Sequence, residues 1–572
     1  MSPKSGAGYK FFMRGERLIY LLLAIVVAYD LFRAITHVLG PTMLSEDFAY
    51  IFLAFNALHG NINIGSAIDA TRILQYLPIA LFYKLFGVGI YTSSAWNVLM
   101  YISTVIIAFF VGKEVYNAKA GLVAALLLGF FTPVVKNSVS AGINETMMLF
   151  ISLTMLAVLY GHNKHSSYWM FAAGILAIVT QLSIPIGLIA LISAAIYVMV
   201  EYLRHNTSRK LVAWFFFGIV VAGAAVVLFS YADTGNLFVI IHQNGAYYSN
   251  LSMTDTSYGI IGSVPSHFAN GSANNLIYYL DYYPQQMLTF NIIPAIRDAI
   301  VSGNLNPIAI WDKAYRINTS NYGLYFYAVL IAALILLILQ EKRLYFPLLW
   351  LAVGMGFLEF APMSVSFFPF RYVLSFRALR YTTGIAVPIA VILAIAVMRI
   401  IDGGIDAKGD EKRKKMKRGY FNSSARFVAG AIVVAVLIAT SVPLNNAWYN
   451  NVYSQTYPLR VIANYLNGKS NATRVYVPTT DYYFISVYMH YNNMSRINPY
   501  YYLYNCTYMA AGAYLIVPNA SSGWVPATPA INNTEEFCPG LKLIMEVNAS
   551  LAATRFIGWP PSKYEQRLYY VN

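Results

Sequence analysis

The chain has 572 residues, of which 58% are hydrophobic and 11% charged. Water-soluble domains carry about 25% charged residues, so the composition excludes an ordinary soluble protein and indicates a polytopic membrane protein. The net charge of +15 does not point to nucleic acid, because the basic residues punctuate the gaps between apolar segments, as cytoplasmic loops do.

The first apolar segment, 18–39, follows Lys4, Lys10, Arg14 and Arg17. It is too long for a signal peptide and no small-residue cleavage site follows it, so it reads as a retained span with the N-terminus cytoplasmic. A span needs about 20 apolar residues. On that rule about eleven follow in order, near 18–39, 93–112, 120–135, 146–161, 168–184, 186–203, 212–231, 321–339, 344–361, 381–398 and 427–443. The loops this count places inside, 113–119, 162–167, 204–210, 340–343 and 399–426, are all basic, as the positive-inside rule requires. The run from Lys412 to Arg418 in the last of them reads as a topology-setting solvated segment. An odd number of spans puts the C-terminus outside, in a protein expected at the plasma membrane with its C-terminal domain extracellular.

The outside regions are then 40–92, 136–145, 232–320 and 444–572. They are rich in Tyr, Asn, Ser and Gly, and Asn-x-Ser/Thr sequons cluster there, for example at Asn250, Asn318 and Asn471. The loop 40–92 is unusually apolar. It predicts a helix from about Phe48 to His59, then an interfacial helix over 73–86 (ILQYLPIALFYKLF) on which Lys84 can snorkel.

Residues 1–443 thus form a transmembrane unit, and 444–572 is long enough for a small extracytoplasmic domain. In it, 457–466 and 481–491 read as helices, and 474–477 and 513–517 as strands, which suggests a compact α/β fold. Cys506 and Cys538 both fall there. In an oxidising compartment they are expected to pair, two free thiols being the alternative.

The chemistry gathers at the outer face. Glu46 and Asp47 stand together where the first span ends, and adjacent carboxylates beside a bilayer are costly unless used. Several motifs follow in order: Glu46-Asp47 with Tyr50 and Leu58-His59-Gly60; Tyr76-Leu77-Pro78 through Lys84-Leu85-Phe86-Gly87; Gly112-Lys113-Glu114-Val115-Tyr116 to Gly121-Leu122; Asn144-Glu145; and Arg380-Tyr381 before a Pro-containing apolar span. This series resembles the GT-C superfamily of membrane glycosyltransferases, and within it the dolichyl-phosphate-mannose protein mannosyltransferases and their aminoarabinose-transferase relatives. The acidic pair is Glu-Asp here, where that family has Asp-Glu, so Glu46 and Asp47 are taken as one acidic site.

The resemblance implies a GT-C-like helical fold and transfer of a sugar from a polyprenyl- or dolichyl-phosphate donor to a protein hydroxyl or lipid acceptor. A single displacement would invert the anomeric centre. Such a reaction needs a carboxylate to accept the proton of the acceptor hydroxyl, and fixed cations for the leaving phosphate, for which the Arg fork is suited. The candidate catalytic residues are Glu46, Asp47 and Glu145. The candidate substrate-binding residues are Tyr50, Arg72, Tyr76, Lys84, Asn144, Arg371, Arg377, Arg380 and Tyr381. No cofactor is certain; the acidic site is a candidate position for a divalent metal, while the scattered histidines show no ligand spacing.

Plainer roles stand beside these. Glu46, Asp47 and Glu145 can cap the helices that follow them, and the arginines can anchor to headgroups. Asp30 and Arg33, about one turn apart in the first span, read as a structural ion pair. Three rival readings remain open on sequence: an oligosaccharyltransferase, whose Trp-Trp-Asp-Tyr-Gly motif is absent here; a transporter or lipid flippase, for which no internal repeat is visible; and a non-catalytic membrane scaffold.

Overall fold

The computed structural model describes residues 6–40, 47–240, 242–243, 324–360, 362–367, 370–374, 379–402, 423–469, 473–478, 485–489, 496–500, 509–518, 540–548 and 565–572. Glu46, Arg377, Cys506 and Cys538 lie outside them, as do nearly all of the 232–320 loop and the basic run around Lys412.

The expected apolar segments are all helical. In chain order the helices are α1 (Gly6–Thr36), α2 (Asp47–Leu58), α3 (Ile73–Phe86), α4 (Ile90–Val115), α5 (Ala118–Phe130), α6 (Thr132–Ser138) and α7 (Asn144–Asn163). They continue with α8 (Ser167–Val179), α9 (Leu188–Leu203), α10 (Arg209–Thr234), α11 (Tyr325–Ile338), α12 (Tyr345–Phe360), α13 (Ala386–Asp402) and α14 (Ser423–Asn467). Among the described residues, eight helices are long and apolar enough to cross a membrane, or nine when the bent pair α5–α6 counts as one span. Two of the eleven expected segments fall outside this count. The segments near 168–184 and 321–339 form the shorter helices Ser167–Leu182 and Tyr325–Ile338, below the length of about 20 residues that crosses the hydrocarbon untilted.

The bend between α5 and α6 is 63°, and it has a local cause. In a straight helix the N–H of residue 133 would bond the carbonyl of Gly129. Residue 133 is proline, which has no N–H and whose ring clashes with that carbonyl. The helix therefore breaks at Phe131, which is extended (φ −67°, ψ 114°). The freed Gly129 carbonyl accepts from the Tyr101 hydroxyl (2.9 Å) and from the Arg33 guanidinium. Arg33 also donates to the Tyr101 oxygen (2.5 Å) and pairs with Asp30 (3.1 Å). The ion pair in the first span is thus a staple for a broken helix.

α4, α5, α7, α9, α12 and α13 form the centre of the bundle, around residues such as Tyr101, Phe109, Met147 and Trp350. A hairpin of β1 (Pro362–Phe367) and β2 (Phe370–Leu374) follows α12. The five C-terminal strands, β3 (Val475–Pro478), β4 (Ile497–Tyr500), β5 (Tyr514–Pro518), β6 (Leu541–Asn548) and β7 (Glu565–Val571), form one mixed sheet in the order β4-β3-β5-β7-β6. β3 is parallel to β4 and β5, and β7 is antiparallel to β5 and β6. One face packs on Leu459, Ile462, Ala463 and Leu466 of α14. That helix runs 45 residues without interruption, so the expected division at 443/444 falls inside a single element that carries the last span into the sheet region.

Candidate active site

α1, α4 and α7 all have one end in the same layer: the C-terminus of α1, the N-terminus of α4 and the N-terminus of α7. The segment Val139–Gly142, between α6 and α7, crosses this layer and is clamped from every side. The Val139 carbonyl accepts from Leu39 N (3.0 Å) and Ser94 Oγ (3.2 Å). The Ala141 carbonyl accepts from Gln75 Nε2 (2.8 Å), and the Gly142 carbonyl from Asn97 Nδ2 (2.5 Å). The carbonyl of Leu39 in turn accepts from Arg460 of α14 (2.5 Å).

Asp47 opens α2 against this segment. It is buried, and its Oδ2 accepts from the Ala141 amide (3.2 Å). A carboxylate at a helix N-terminus is favoured by the helix dipole, so the capping role and an acid–base role coexist in one side chain. A Cβ at Gly142 would stand 2.9 Å from Asp47 Oδ1 and 3.9 Å from Asn144 Nδ2. The bare Cα of Gly142 therefore makes room for the Asp47 carboxylate, and Asn144 reaches ordinary contact distance of the same spot from the other end of the loop.

Tyr50, one turn along α2, is buried and accepts from Arg72; Arg72, also buried, pairs with Asp69 (2.6 Å). Its charge is thus matched by a carboxylate, and its planar fork is held in place between Asp69 and Tyr50. Tyr76 is buried on α3 and donates to the Ala70 carbonyl (3.0 Å). Burial, and secondarily the Asp233 carboxylate, push its phenol up to about 12, so it acts as a hydrogen-bond donor and not as a base. Lys84 is exposed in the last turn of α3, about 18 Å along the helix axis from Arg72 at ~1.5 Å per residue, and is not gathered with the others.

Asn144 and Glu145 open α7. Asn144 Nδ2 donates to Asn137 Oδ1 (3.1 Å). Glu145 is fully buried, and neither of its oxygens has a hydrogen-bond partner among the described residues. The turn Leu379–Ile385, which carries Arg380 and Tyr381, packs on α6 and α7. Some 236 residues of sequence separate Arg380 from Asn144, yet the fold returns them to one layer. Tyr381, Thr382 and Thr383 are buried there. Arg371 lies on β2 opposite Ser366.

The described residues include no group of three His, Cys, Asp or Glu side chains that could hold a metal; of the acidic pair they contain Asp47 alone.

Sequence reasoning missed the polar side chains that hold the loop: Gln75, Asn97 and Thr146, all buried. Their signal was present as single amide or hydroxyl residues inside otherwise apolar helices, where an unpaired polar group is expensive. It also missed Asp69, the partner of Arg72.

The opposite end of the bundle has the reverse character. Glu114, Asn163, Glu201, Arg204, Lys342 and Arg343 line an open cavity of about 590 Å³ where α4, α7, α9 and α12 meet. Since α7 has 20 residues, this end lies about 30 Å from Asp47. The basic loops and the acidic site therefore occupy opposite ends of the helices.

Residues 73–230 match the family model described as dolichyl-phosphate-mannose-protein mannosyltransferase. Over those residues the chain is similar to that family. The matched stretch contains Tyr76, Lys84, Asn144, Glu145 and the clamped loop; Asp47, Tyr50 and Arg72 precede it. The resemblance expected from the motifs is borne out there. Among solved structures, the chain is similar to ArnT from Cupriavidus metallidurans in the apo state, at 11% identity and TM-score 0.48, covering 95% of this chain and 97% of that one. It is also similar to ArnT from the same organism bound to undecaprenyl phosphate, at 12% identity and TM-score 0.44, covering 96% and 97%. A third is the apo oligosaccharyltransferase of Archaeoglobus fulgidus, at 13% identity and TM-score 0.48, covering 87% of this chain and 69% of that one. No curated protein matches the chain.

Proposed function

We propose that the chain is a membrane glycosyltransferase that moves a sugar from a polyprenyl-phosphate donor to a hydroxyl of a protein or lipid acceptor, at the end of the bundle where Asp47 sits. The observation that carries this reading is the family match over residues 73–230, which takes in the loop that holds Asp47. Within that family's description the sugar is mannose and the carrier dolichyl phosphate, and we extend both to this chain as part of the proposal. We place the site on the outer face of the plasma membrane, with the N-terminus cytoplasmic, because the basic loops lie at the other end of the helices.

The chemistry follows from the residues. The acceptor oxygen attacks the anomeric carbon, its bond to the lipid phosphate breaks, and the electron pair leaves with the phosphate. The acceptor proton passes to the acidic site, where Asp47 is buried and its Oδ2 accepts from the Ala141 amide. Negative charge beside the anomeric centre also stabilises the oxocarbenium-like transition state. Attack from the face opposite the phosphate inverts the centre. Arg380, carried beside α6 and α7, is the candidate cation for the leaving phosphate; Arg72, bound to Asp69 and Tyr50, orients that side of the site.

Purified full-length protein incubated with polyprenyl-phosphate sugars tests this reading. Transfer to peptide or lipid acceptors with inversion is the expected result. Failure to consume any lipid-phosphate sugar would contradict it.

A further inference from the structure

The groups that clamp Val139–Gly142 form one polarised hydrogen-bond chain. Its direction is fixed at one end by chemistry. Trp96 Nε1 lies 2.9 Å from Thr146 Oγ1, and an indole N–H can only donate. The Thr146 hydroxyl oxygen therefore accepts, and its proton goes to Gln75 Oε1 at 2.6 Å. That assignment turns the Gln75 amide so that both N–H groups point onward, to Asn97 Oδ1 (2.8 Å) and to the Ala141 carbonyl (2.8 Å). Asn97 is oriented in the same step. Its carbonyl oxygen is taken, and its two N–H groups reach the Gly142 carbonyl (2.5 Å) and the Asn137 carbonyl (3.2 Å). Both amide groups have both their N–H protons placed. The chain ends on the carbonyls of Ala141 and Gly142; the Ala141 N–H, on the peptide unit just before them, donates to Asp47 Oδ2 (3.2 Å).

Three helices contribute side chains to this chain, and all three of its central side chains are buried. Burying amides and a hydroxyl among apolar helices costs free energy unless every group is paired. Tying α3, α4 and α7 together would be served as well by apolar packing. What apolar packing cannot do is fix the rotation of the 141–142 and 142–143 peptide units, which through the Cα of Ala141 limits where the adjoining Ala141 N–H can point.

We infer that Gln75, Asn97 and Thr146 are positioning residues. They act through the Ala141–Gly142 backbone to hold the N–H that helps keep the Asp47 carboxylate in place. The inference rests on the reading of Asp47 as part of the acidic site, and adds the residues that set its geometry.

The test uses full-length protein in detergent or nanodiscs. Gln75→Met keeps the length of the side chain and removes its hydrogen bonds. Thr146→Val removes the hydroxyl at constant shape, and Thr146→Ser restores it. The first readout needs no turnover: the Asp47 carboxyl band in the infrared, in ¹³C-aspartate-labelled protein with the Asp47→Asn spectrum subtracted, followed against pH. Losing a donor to the charged form raises a carboxyl pKa. The titration of Asp47 should therefore move up by about one pH unit in Gln75→Met and Thr146→Val, and return toward the parent position in Thr146→Ser. An unmoved titration in folded Gln75→Met and Thr146→Val overturns the proposal. The second readout is kinetic. In Gln75→Met, kcat should fall about 10- to 100-fold, donor KM should change little, and the acidic limb of the rate profile should shift to higher pH. A protein that merely melts at lower temperature, with kcat and that limb unchanged, also overturns it. If the parent protein turns over no lipid-phosphate sugar while the infrared titration shifts as expected, the glycosyltransferase reading fails and the positioning role stands.

Discussion

Gly142→Ala isolates the geometry of the acidic site from the stability of the fold. The φ of Gly142 lies outside the left-handed region, so the backbone accepts alanine without strain. The new Cβ, however, would stand 2.9 Å from Asp47 Oδ1, where ordinary contact begins at 3.4 Å. The carboxylate must therefore retreat by about 0.5 Å, the difference between those two distances. Its other oxygen is held by Ala141 N at 3.2 Å. A displacement of that size directed away from the amide takes the contact toward ~3.7 Å, beyond a real hydrogen bond. A small misplacement of a reacting group costs on the order of 100-fold in rate, whereas Gly→Ala at a compatible φ stabilises a protein by about 0.4–1 kcal/mol. The expected outcome is kcat lowered by about 10- to 100-fold with the melting temperature unchanged or raised. The assay pairs initial rates of sugar transfer with thermal unfolding of the same preparation. A well-folded Gly142→Ala protein with parent-like kcat would refute the placement of Asp47 at the reacting centre.

Two further outcomes concern the fold. Arg33→Met leaves Asp30 buried without its cation and Gly129 without one of its donors, and should lower stability by about 3–5 kcal/mol; the double variant with Asp30→Asn should recover part of that loss in thermal unfolding, and additive losses would contradict the staple. α8 and α10 cross at Gly174 and Gly218, where a Cβ at Gly174 would collide with the Phe215 carbonyl and one at Gly218 with the Phe171 carbonyl. Small residues permit such close helix contact in membranes, so Gly174→Leu should abolish monodisperse expression, and a normal elution profile would show that the crossing is not needed.

Much of this architecture was legible in the sequence because membrane helices announce themselves by apolar length. The helix over 73–86 and the one opening at Asp47 were visible for the same reason. The bend at Phe131 was harder to see. Its cause, Pro133, sits in a run whose composition alone reads as one span, and only the geometry shows that Gly129 loses its donor and that Arg33 supplies another. The continuity of α14 across 443/444 was masked by the change from apolar to Tyr- and Asn-rich sequence, which marks a change of surroundings and not the end of a helix. Within the site, Asp47 was legible as one half of a charged pair beside the membrane. Gln75, Asn97 and Thr146 were not, because hydrogen bonds between helices tens of residues apart leave no periodic trace. Arg72 was legible as a cation, but its partner Asp69 became evident only once the short turn Asp69–Thr71 was in place.

The most direct test of the central claim is transfer of sugar from a polyprenyl phosphate by the purified protein and by its Asp47→Asn and Glu46→Gln variants, each checked for intact folding. Transfer by the parent chain, with a loss of at least about 100-fold when the carboxylate that takes the acceptor proton is removed, is the expected result. Full activity in both variants would show that the acidic site at the end of the first span does not carry the reaction.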